Sequence, residues 1–372
     1  MGIDLVGPTL SQIEVTLLGP GYGESTVIHF GNNVWGIIDS CIEPGQSQPA
    51  PLRYLSSIGV DPTNDVALVV ATHWHDDHIR GLSQVVATCE QARFSCPLVF
   101  QKEEFVSMVT RINENNRSKV GSGAREVLSI YQQLEAGRTP RLASIGNRIF
   151  SAPREETGHG QPVHVWALSP SDFQVDAFLR EIGASLPGVK ETKYRILAHG
   201  PNKVAVVNLI EIGSVGILLG ADLENEINEN LGWKAVINNR DVALNKASIY
   251  KVAHHGSESG HHDGIWSELL SEAPFALVTP WNKSKGLPTA DDAQRIAALT
   301  PNGYLTSNPK QIGSKAKRIA AVEKTVKDTT GGHLRQSQPN FGIIRLRTTD
   351  ANHISWSIDL SDRAISINTI AA

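Results

Sequence analysis

The stretch Thr72–Leu82, THWHDDHIRGL, places His73, His75, Asp76, Asp77 and His78 within six residues. Imidazole and carboxylate side chains are ligands for zinc and for harder divalent ions. An apolar run, Val66–Ala71, precedes them and predicts a buried strand. If the chain stays extended to His75, alternation points His73 and His75 to one side. A tighter turn then presents Asp77 and His78 from the adjoining loop or helix start. Four ligand-type side chains leaving one strand end can hold two metal ions. A lone histidine there would be a solvated loop residue, whereas His-x-His-x-Asp-His has the residue types and spacing of a metal site.

Two further strand ends carry the same residue types. Val204–Ile212 and Val215–Gly220 predict a hairpin, with Asp222 just beyond it. Ala247–Ala253 predicts a strand that runs into His254-His255-Gly256-Ser257. Each alone has a bland account, as a capping aspartate or a packed histidine. Taken with His73–His78 they make a far stronger case for a metal site, and one aspartate between two ions can give each an oxygen. Ions roughly 3.5–4 Å apart can activate a water and also stabilise a leaving oxygen. Asp39, at the end of Val34–Asp39, reads either as a turn aspartate or as a carboxylate that orients a metal ligand.

The elements that must position these residues are those of a folded globular chain. It has 372 residues, 40% hydrophobic and 19% charged, which is ample for a core. The net charge of −4 argues against a surface that coats nucleic acid generally, but leaves room for a local basic patch. Three cysteines, Cys41, Cys89 and Cys96, lack metal-binding spacing and suggest no disulfide framework. With no secretory leader pattern and no apolar run of membrane length, they make the cytoplasm the expected location, without a membrane.

Strands are expected at Ile13–Leu18, Ser25–Phe30, Val34–Asp39, Leu98–Phe100, Val163–Ser169 and Phe275–Thr279, and helices at Gln48–Ile58, Ser171–Gly183 and Asp291–Leu299. The loop Gly19–Glu24, GPGYGE, reads as a plain glycine turn, followed by a strand and so unlike a phosphate-binding loop. Residues 102–148 read as a helical insertion (Lys102–Thr110 and Ala124–Leu134, then the basic tract Arg138–Arg148) that could form a lid or meet a protein partner. Residues 310–372 read as an extension whose strands, Phe341–Arg347 and Ile354–Leu360, complete the second sheet or add an edge. His164 reads as a strand histidine, and His261, His262, His333 and His353 as loop or surface residues.

Here the sequence resembles the metallo-β-lactamase superfamily. His73, His75, Asp77 and His78 match its HxHxDH motif, Asp39 its earlier strand-end aspartate and Asp222 its bridging aspartate. The runs NKVAVVNLIEIGSVGILLGADLE and ASIYKVAHHGS, with LVTPWN before LPTADDAQRIAAL, resemble the hydrolase domain of the competence protein ComEC and its stand-alone relatives. The resemblance covers roughly residues 13–310. It implies an α/β fold, a single domain in a four-layer αββα sandwich of two mixed β-sheets flanked by helices, with two divalent ions, commonly zinc, in a cleft. It further implies that His73 and His75 hold one ion, Asp77 and His78 the other, and that Asp222 bridges them. One of His254 and His255 would complete the second site, and alternation does not decide which. The third ligand of the first site would be His199, with Asn202 as the alternative.

Two other departures stand out. Arg80 occupies a position that is usually small, and could hold a phosphate bidentately or lie on a helix surface. The sequence GAD, with Ala221, replaces the usual TGD.

The nitrogen and oxygen ligand set suits zinc and also allows manganese or iron. The expected chemistry is hydrolysis by a hydroxide on the metal, with Asp77 orienting it. The free histidine of the 254–255 pair would protonate a leaving group or bind an anionic oxygen, with hydrogen bonds from Gly256 and Ser257. A phosphodiester of nucleic acid or a nucleotide is the leading substrate, on the ComEC-like motifs, Arg80 and a basic tract. From Asn282 to Lys327 there are nine Lys or Arg against three Asp or Glu, densest at Lys310, Lys315, Lys317 and Arg318. That tract is equally readable as a solvated helix face. The alternatives are a lactone, β-lactam or other acyl ester as substrate, or an accessory binding role in a multiprotein system.

Overall fold

The computed structural model describes residues 3–21, 23–115, 123–134, 137–185, 200–239, 245–282, 286–309, 341–348 and 355–371. Its apolar runs pair into two eight-stranded sheets. The first, in spatial order, is β15 (Ser357–Leu360), β14 (Gly342–Thr348), β1 (Ile13–Gly19), β2 (Ser25–His29), β3 (Trp35–Ile38), β4 (Val66–Val70), β5 (Arg93–Pro97) and β6 (Arg141–Ala143). The second is β16 (Ile365–Ser366), β13 (Gly303–Leu305), β12 (Leu270–Val278), β11 (Ala247–Lys251), β10 (Val215–Leu219), β9 (Asn208–Ile212), β8 (Val163–Ala167) and β7 (Asn147–Ala152). Both are mixed: β3 to β6 run parallel in one and β10 to β13 in the other, and the remaining neighbours are antiparallel.

Alternation along the strands separates three apolar layers. In β4, Leu68 and Val70 face the other sheet, where they meet Val165, Ile210, Ile217 and Ile249, while Val69 faces the helices. Those helices are α1 (Ala50–Ser57), α4 (Leu82–Thr88), α5 (Glu103–Asn115), α6 (Gly123–Leu134) and α7 (Asp172–Ser185). The outer face of the second sheet is covered by α9 (Gly232–Asn238) and α10 (Ala290–Leu299) through Trp233, Val236, Ala293 and Ile296. Short turns α2 (Pro62–Asp65), α3 (Asp76–Ile79) and α8 (Gly200–Lys203) connect them. The expected four-layer order of helices, sheet, sheet and helices is therefore present.

Several local expectations are revised. The strand expected at Leu98–Phe100 lies earlier, at β5, and Leu98–Gln101 is a 3₁₀ turn. Pro97 has no N–H to continue the ladder, which ends the strand there. The 102–148 segment is woven into the fold: α5 and α6 bury Phe105, Val109, Val127 and Ile130 over the first sheet, and β6 and β7 end one sheet and begin the other. In its basic tract, Arg138 donates to the carbonyls of Val86, Cys89 and Ala92 (2.9, 3.2 and 2.9 Å), closing the C-terminal end of α4. The two late strands, expected to complete the second sheet or add an edge, both join the first, where β15 forms the edge, and among the described residues beyond them β16 enters the second. Charge matching explains this placement: Arg347 of β14 donates to the fully buried Glu14 of β1 (2.7 Å), and Arg345 to Asp359 of β15. Lys310, Lys315, Lys317 and Arg318 of the basic tract lie outside the described residues, as do His333 and His353.

The three cysteines are free and buried. Among the described residues, no helix is long and apolar enough to cross a membrane.

Burial in β2 also creates an acid-sensitive position. His29 is fully buried beside Trp35 and accepts a hydrogen bond from Asn33 N at 3.1 Å. Burial pulls its pKa down from 6.5 to about 4. A depressed pKa means that the unfolded chain binds the proton more readily. The stability tied to neutral His29 is thus complete above pH 6.5 and is lost as the pH falls through about 4. Its size there is on the order of 3 kcal/mol. Urea unfolding at pH 7 and pH 4 should show His29→Gln losing less stability on acidification than the wild type; equal losses would place the acid sensitivity elsewhere.

Candidate metal centre

Parallel strands deliver their C-terminal ends to one rim of a sheet, where ligand sites of α/β proteins collect. In the first sheet, β3 leads to Asp39, and β4 leads through Thr72 to His78. In the second, β10 leads to Asp222 and β11 to His254 and His255. The two rims face each other. Asp77, His78, Asp222 and His255 are all buried, and each offers a ligand atom within 4.8 Å of the others. His73, His75 and Asp222 form a second such group, so Asp222 is common to both. These groups could hold a divalent metal ion.

The donor atoms fit that use. His73 Nε2, His78 Nε2 and Asp222 Oδ1 are buried without a well-formed hydrogen bond, although His78 Nε2 lies 3.2 Å from Asp222 Oδ1. Atoms this close yet misaligned are arranged around a common point, not as donor to acceptor. Their other ring nitrogens are engaged outward. His78 Nδ1 is 2.7 Å from Asp39 Oδ2, His255 Nδ1 is 2.9 Å from the Thr279 carbonyl, and His73 Nδ1 is 2.9 Å from Thr72 Oγ1. Thr72 donates to Asp39 from both N–H and O–H, at 2.7 Å each, so its oxygen is left to accept from His73. With Nδ1 donating, each Nε2 faces the common point and would offer its lone pair to an ion there when the ring is neutral.

Asp39 therefore bonds one histidine of each group, His78 directly and His73 through Thr72. Asp39→Asn should weaken zinc binding by about 10–100-fold, because its amide would meet the His78 N–H with a donor. Calorimetric titration of the metal-free protein would measure this, and unchanged affinity would count against the orienting role.

Electrostatics follow from burial and close charges. Burial, then the neighbouring His78, holds His73 well below the ordinary histidine range. Burial also lowers His75, against the pull of Asp77 and Asp222. Burial opposes a proton on His78 and His255 too, but Asp222, helped by Glu24 at both and by Asp77 at His255, reverses it and raises both. Asp77 and Asp222 are lowered despite their burial, since the positive imidazoles favour the ionised form. Burial raises Asp39, outweighing its bonds from His78 and Thr72.

The other expected site residues sort as follows. Of the adjacent pair, His255 joins the buried group and His254 does not: its Nδ1 faces Ser259 Oγ (2.8 Å) and Glu224 Oε1 (3.1 Å), and its Nε2 is 3.4 Å from Asn202. A left-handed backbone at His254 and His255 (φ 46° and 53°) swings the two rings apart. Asp39 (φ 60°), on the facing rim, and Ala221 (φ 44°) share that positive φ. Asn202 is buried and donates to Glu224 at 3.0 Å, while its Oδ1 is buried without a hydrogen-bond partner, and His199 lies outside the described residues. The Gly256 carbonyl accepts from Arg295 at 2.6 Å, and the Ser257 hydroxyl accepts from Ser259 N at 3.3 Å, so both support the turn. Arg80 is half-buried at the junction of α3 and α4.

Glu24, Lys251, Thr72 and Arg295 also belong to the site and were missed as site residues in the sequence. Two signals were visible. Lys251 is a charge inside an otherwise apolar strand, and Glu24 follows a glycine whose added Cβ would come within 1.9 Å of the Asp77 carbonyl. The Gly19–Glu24 loop is thus no plain turn; it is packed onto the metal motif, with Glu24 N donating to Asp77 O at 2.8 Å.

No family model matches the sequence, and no curated protein matches it. Solved structures similar to it carry metallo-β-lactamase descriptions. A metallo-β-lactamase of Cronobacter sakazakii with a HARLDQ motif is 14% identical over 58% of this chain and 63% of that one, with a TM-score of 0.31. The chain spans less than two thirds of that protein's length. MEM-A1, a subclass B3 metallo-β-lactamase from a soil metagenome library, is 15% identical over 72% and 88%, with a TM-score of 0.33. The metallo-β-lactamase fold protein YhfI from Bacillus subtilis is 10% identical over 88% of this chain and 97% of its own, with a TM-score of 0.35.

Proposed function

We propose that the protein is a dinuclear metal-dependent hydrolase acting on phosphodiesters of nucleic acid or nucleotides. The observation that carries the hydrolase reading is the pair of ligand groups joined at Asp222, with unsatisfied buried donor atoms converging between two sheets. In this reading His73, His75 and Asp222 hold one ion, and Asp77, His78, Asp222 and His255 the other, with zinc as the first choice and manganese or iron as alternatives. When bound, such ions supply Lewis acidity and lower the pKa of water.

The chain's own residues do the rest. Asp77 and His255, 3.0 Å apart, fix each other's orientation across the two sheets. His254, steadied by Glu224 and Ser259, stands at the rim with Asn202, where it can bind or protonate a substrate oxygen. Gly256 and Ser257 shape that turn. Support for phosphodiesters comes from the ComEC-like AHHGS run and from Arg80, a fork of donors suited to phosphate.

The test is metal analysis of the purified protein, with cleavage assays on bis-p-nitrophenyl phosphate, DNA, RNA and cyclic nucleotides in zinc or manganese. Metal-dependent cleavage that Asp77→Ala abolishes is the expected result. Cleavage of only lactones, β-lactams or esters would replace the phosphodiester reading with the acyl-ester one. A folded protein that binds no metal would overturn both.

A further inference from the structure

Beneath the ligand groups lies a buried ion pair that the proposed reaction does not use. Lys251, at the end of β11, belongs to the second sheet, and Glu24, fixed by its N–H bond to Asp77, belongs to the first. Each is only 3% exposed, and Lys251 Nζ is paired with Glu24 Oε1. Together with Ser25, Thr26, Asp39 and Thr72 they line one small chamber between the sheets, whose remaining walls are the apolar Ile38, Leu219 and Ala221.

A buried pair of this kind is not in itself a strong stabiliser, because desolvation offsets much of the attraction. Its position is more telling. Lys251 Nζ lies 3.9 Å from Asp222 Oδ1 and donates to the Ala221 carbonyl at 3.1 Å. On the other side, Glu24 Oε1 is 3.7 Å from His78 Nδ1, and Glu24 Oε2, which has no hydrogen bond, is 3.8 Å from His255 Nδ1. The ammonium thus stands against the carboxylate of the Asp77–His78–Asp222–His255 group, and the carboxylate of Glu24 stands behind both its imidazoles. A cation beside Asp222 repels an incoming divalent ion and competes for its oxygens. An anion behind an imidazole makes its inner nitrogen a stronger donor.

We propose that Glu24 and Lys251 are opposed positioning charges for this group: Glu24 strengthens and Lys251 weakens its hold on a divalent ion. The inference rests on the metal-centre reading above and adds that the group's affinity is set from behind by one charge from each sheet. Neither residue belongs to the two ligand groups.

The test is zinc titration of the metal-free protein at pH 7.5 against a chromophoric chelator, with circular dichroism to confirm folding. Lys251→Met should bind the ion at this group about tenfold more tightly, and Glu24→Gln about tenfold more weakly. Lys251→Arg, which keeps the charge, should stay near the wild type, as should the double variant Lys251→Met/Glu24→Gln. If Lys251→Met alone fails to fold, the double variant should still bind more tightly than Glu24→Gln. Weakening in both single variants would mean that the pair is only a scaffold, and unchanged affinities would remove any role at the metal; either result overturns the proposal. A wild type that binds no zinc would overturn the metal-centre reading itself, a different outcome from two bound ions with unshifted variants.

Discussion

On the proposed two-ion hydrolase reading, Asp222→Ala is expected to leave at most one divalent ion per chain and to lower turnover by roughly a thousandfold or more. The magnitude follows from what two ions contribute: several kcal/mol of charge stabilisation, at about 1.4 kcal/mol for each factor of ten. Asp222 is the one carboxylate common to both groups among the described residues. Its Oδ1 lies 3.2 Å from His78 Nε2, and its Oδ2 lies 3.6 Å from His255 Nε2 and 4.0 Å from His73 Nε2. Removing it therefore takes a ligand from both positions at once, whereas losing His75 or His255 would empty one side only. Asp222→Asn is the sharper variant, because it keeps the shape and removes the charge. Metal content by mass spectrometry reads the effect without any assumption about substrate. An Asp222→Asn protein that retains two ions and full turnover would show that the shared position is not a ligand.

Trp74→Ala is expected to destabilise the protein by about 3–5 kcal/mol, the range for emptying a buried large aromatic site. Trp74 is only 9% exposed although it stands between His73 and His75. While the two histidines group with Asp222, the indole turns to the helical layer and packs against Phe105, Phe178 and Phe100 at ring separations of 4.8, 5.4 and 6.0 Å. It anchors the irregular segment after β4 from behind, so the two histidines inherit their positions from a core contact. Urea unfolding should show the loss, and Trp74→Phe should recover most of it. Metal affinity should fall in the same order. A loss under about 1 kcal/mol would mean that the aromatic cluster does not hold this segment.

These two residues also show what the sequence made legible and what it hid. The HxHxDH run was readable because its ligand chemistry is local: residue types and spacing within one strand end suffice. Asp222 and the His254-His255 pair were readable for the same reason, at the ends of apolar runs. The choice of His255 over His254 was hidden because two consecutive left-handed residues break the alternation that a strand would impose. Glu24 and Lys251 were hidden because their meaning comes from a partner on the opposite sheet. The membership of β14 in the first sheet was hidden likewise: its apolar alternation fits either sheet, and only the pairing of Arg347 with the buried Glu14 selects one. Three layers of apolar alternation gave the fold class, while long-range charge matching gave the sheet order.

The left-handed rim has a consequence for how such a protein can change. Asp39, Ala221, His254 and His255 each hold a conformation that costs an L-residue roughly 1–2 kcal/mol and that glycine adopts freely. At three of these positions the side chain is placed for chemistry or for steadying a ligand, so relaxing the backbone would remove what the strain maintains. Ala221 is the exception, with only a methyl group to lose. A population selected for heat resistance alone would still keep Asp39 and His255, whose side chains satisfy buried partners, and would move to glycine first at Ala221. One selected for turnover as well would find only Ala221 open, and the rim would record which selection had acted.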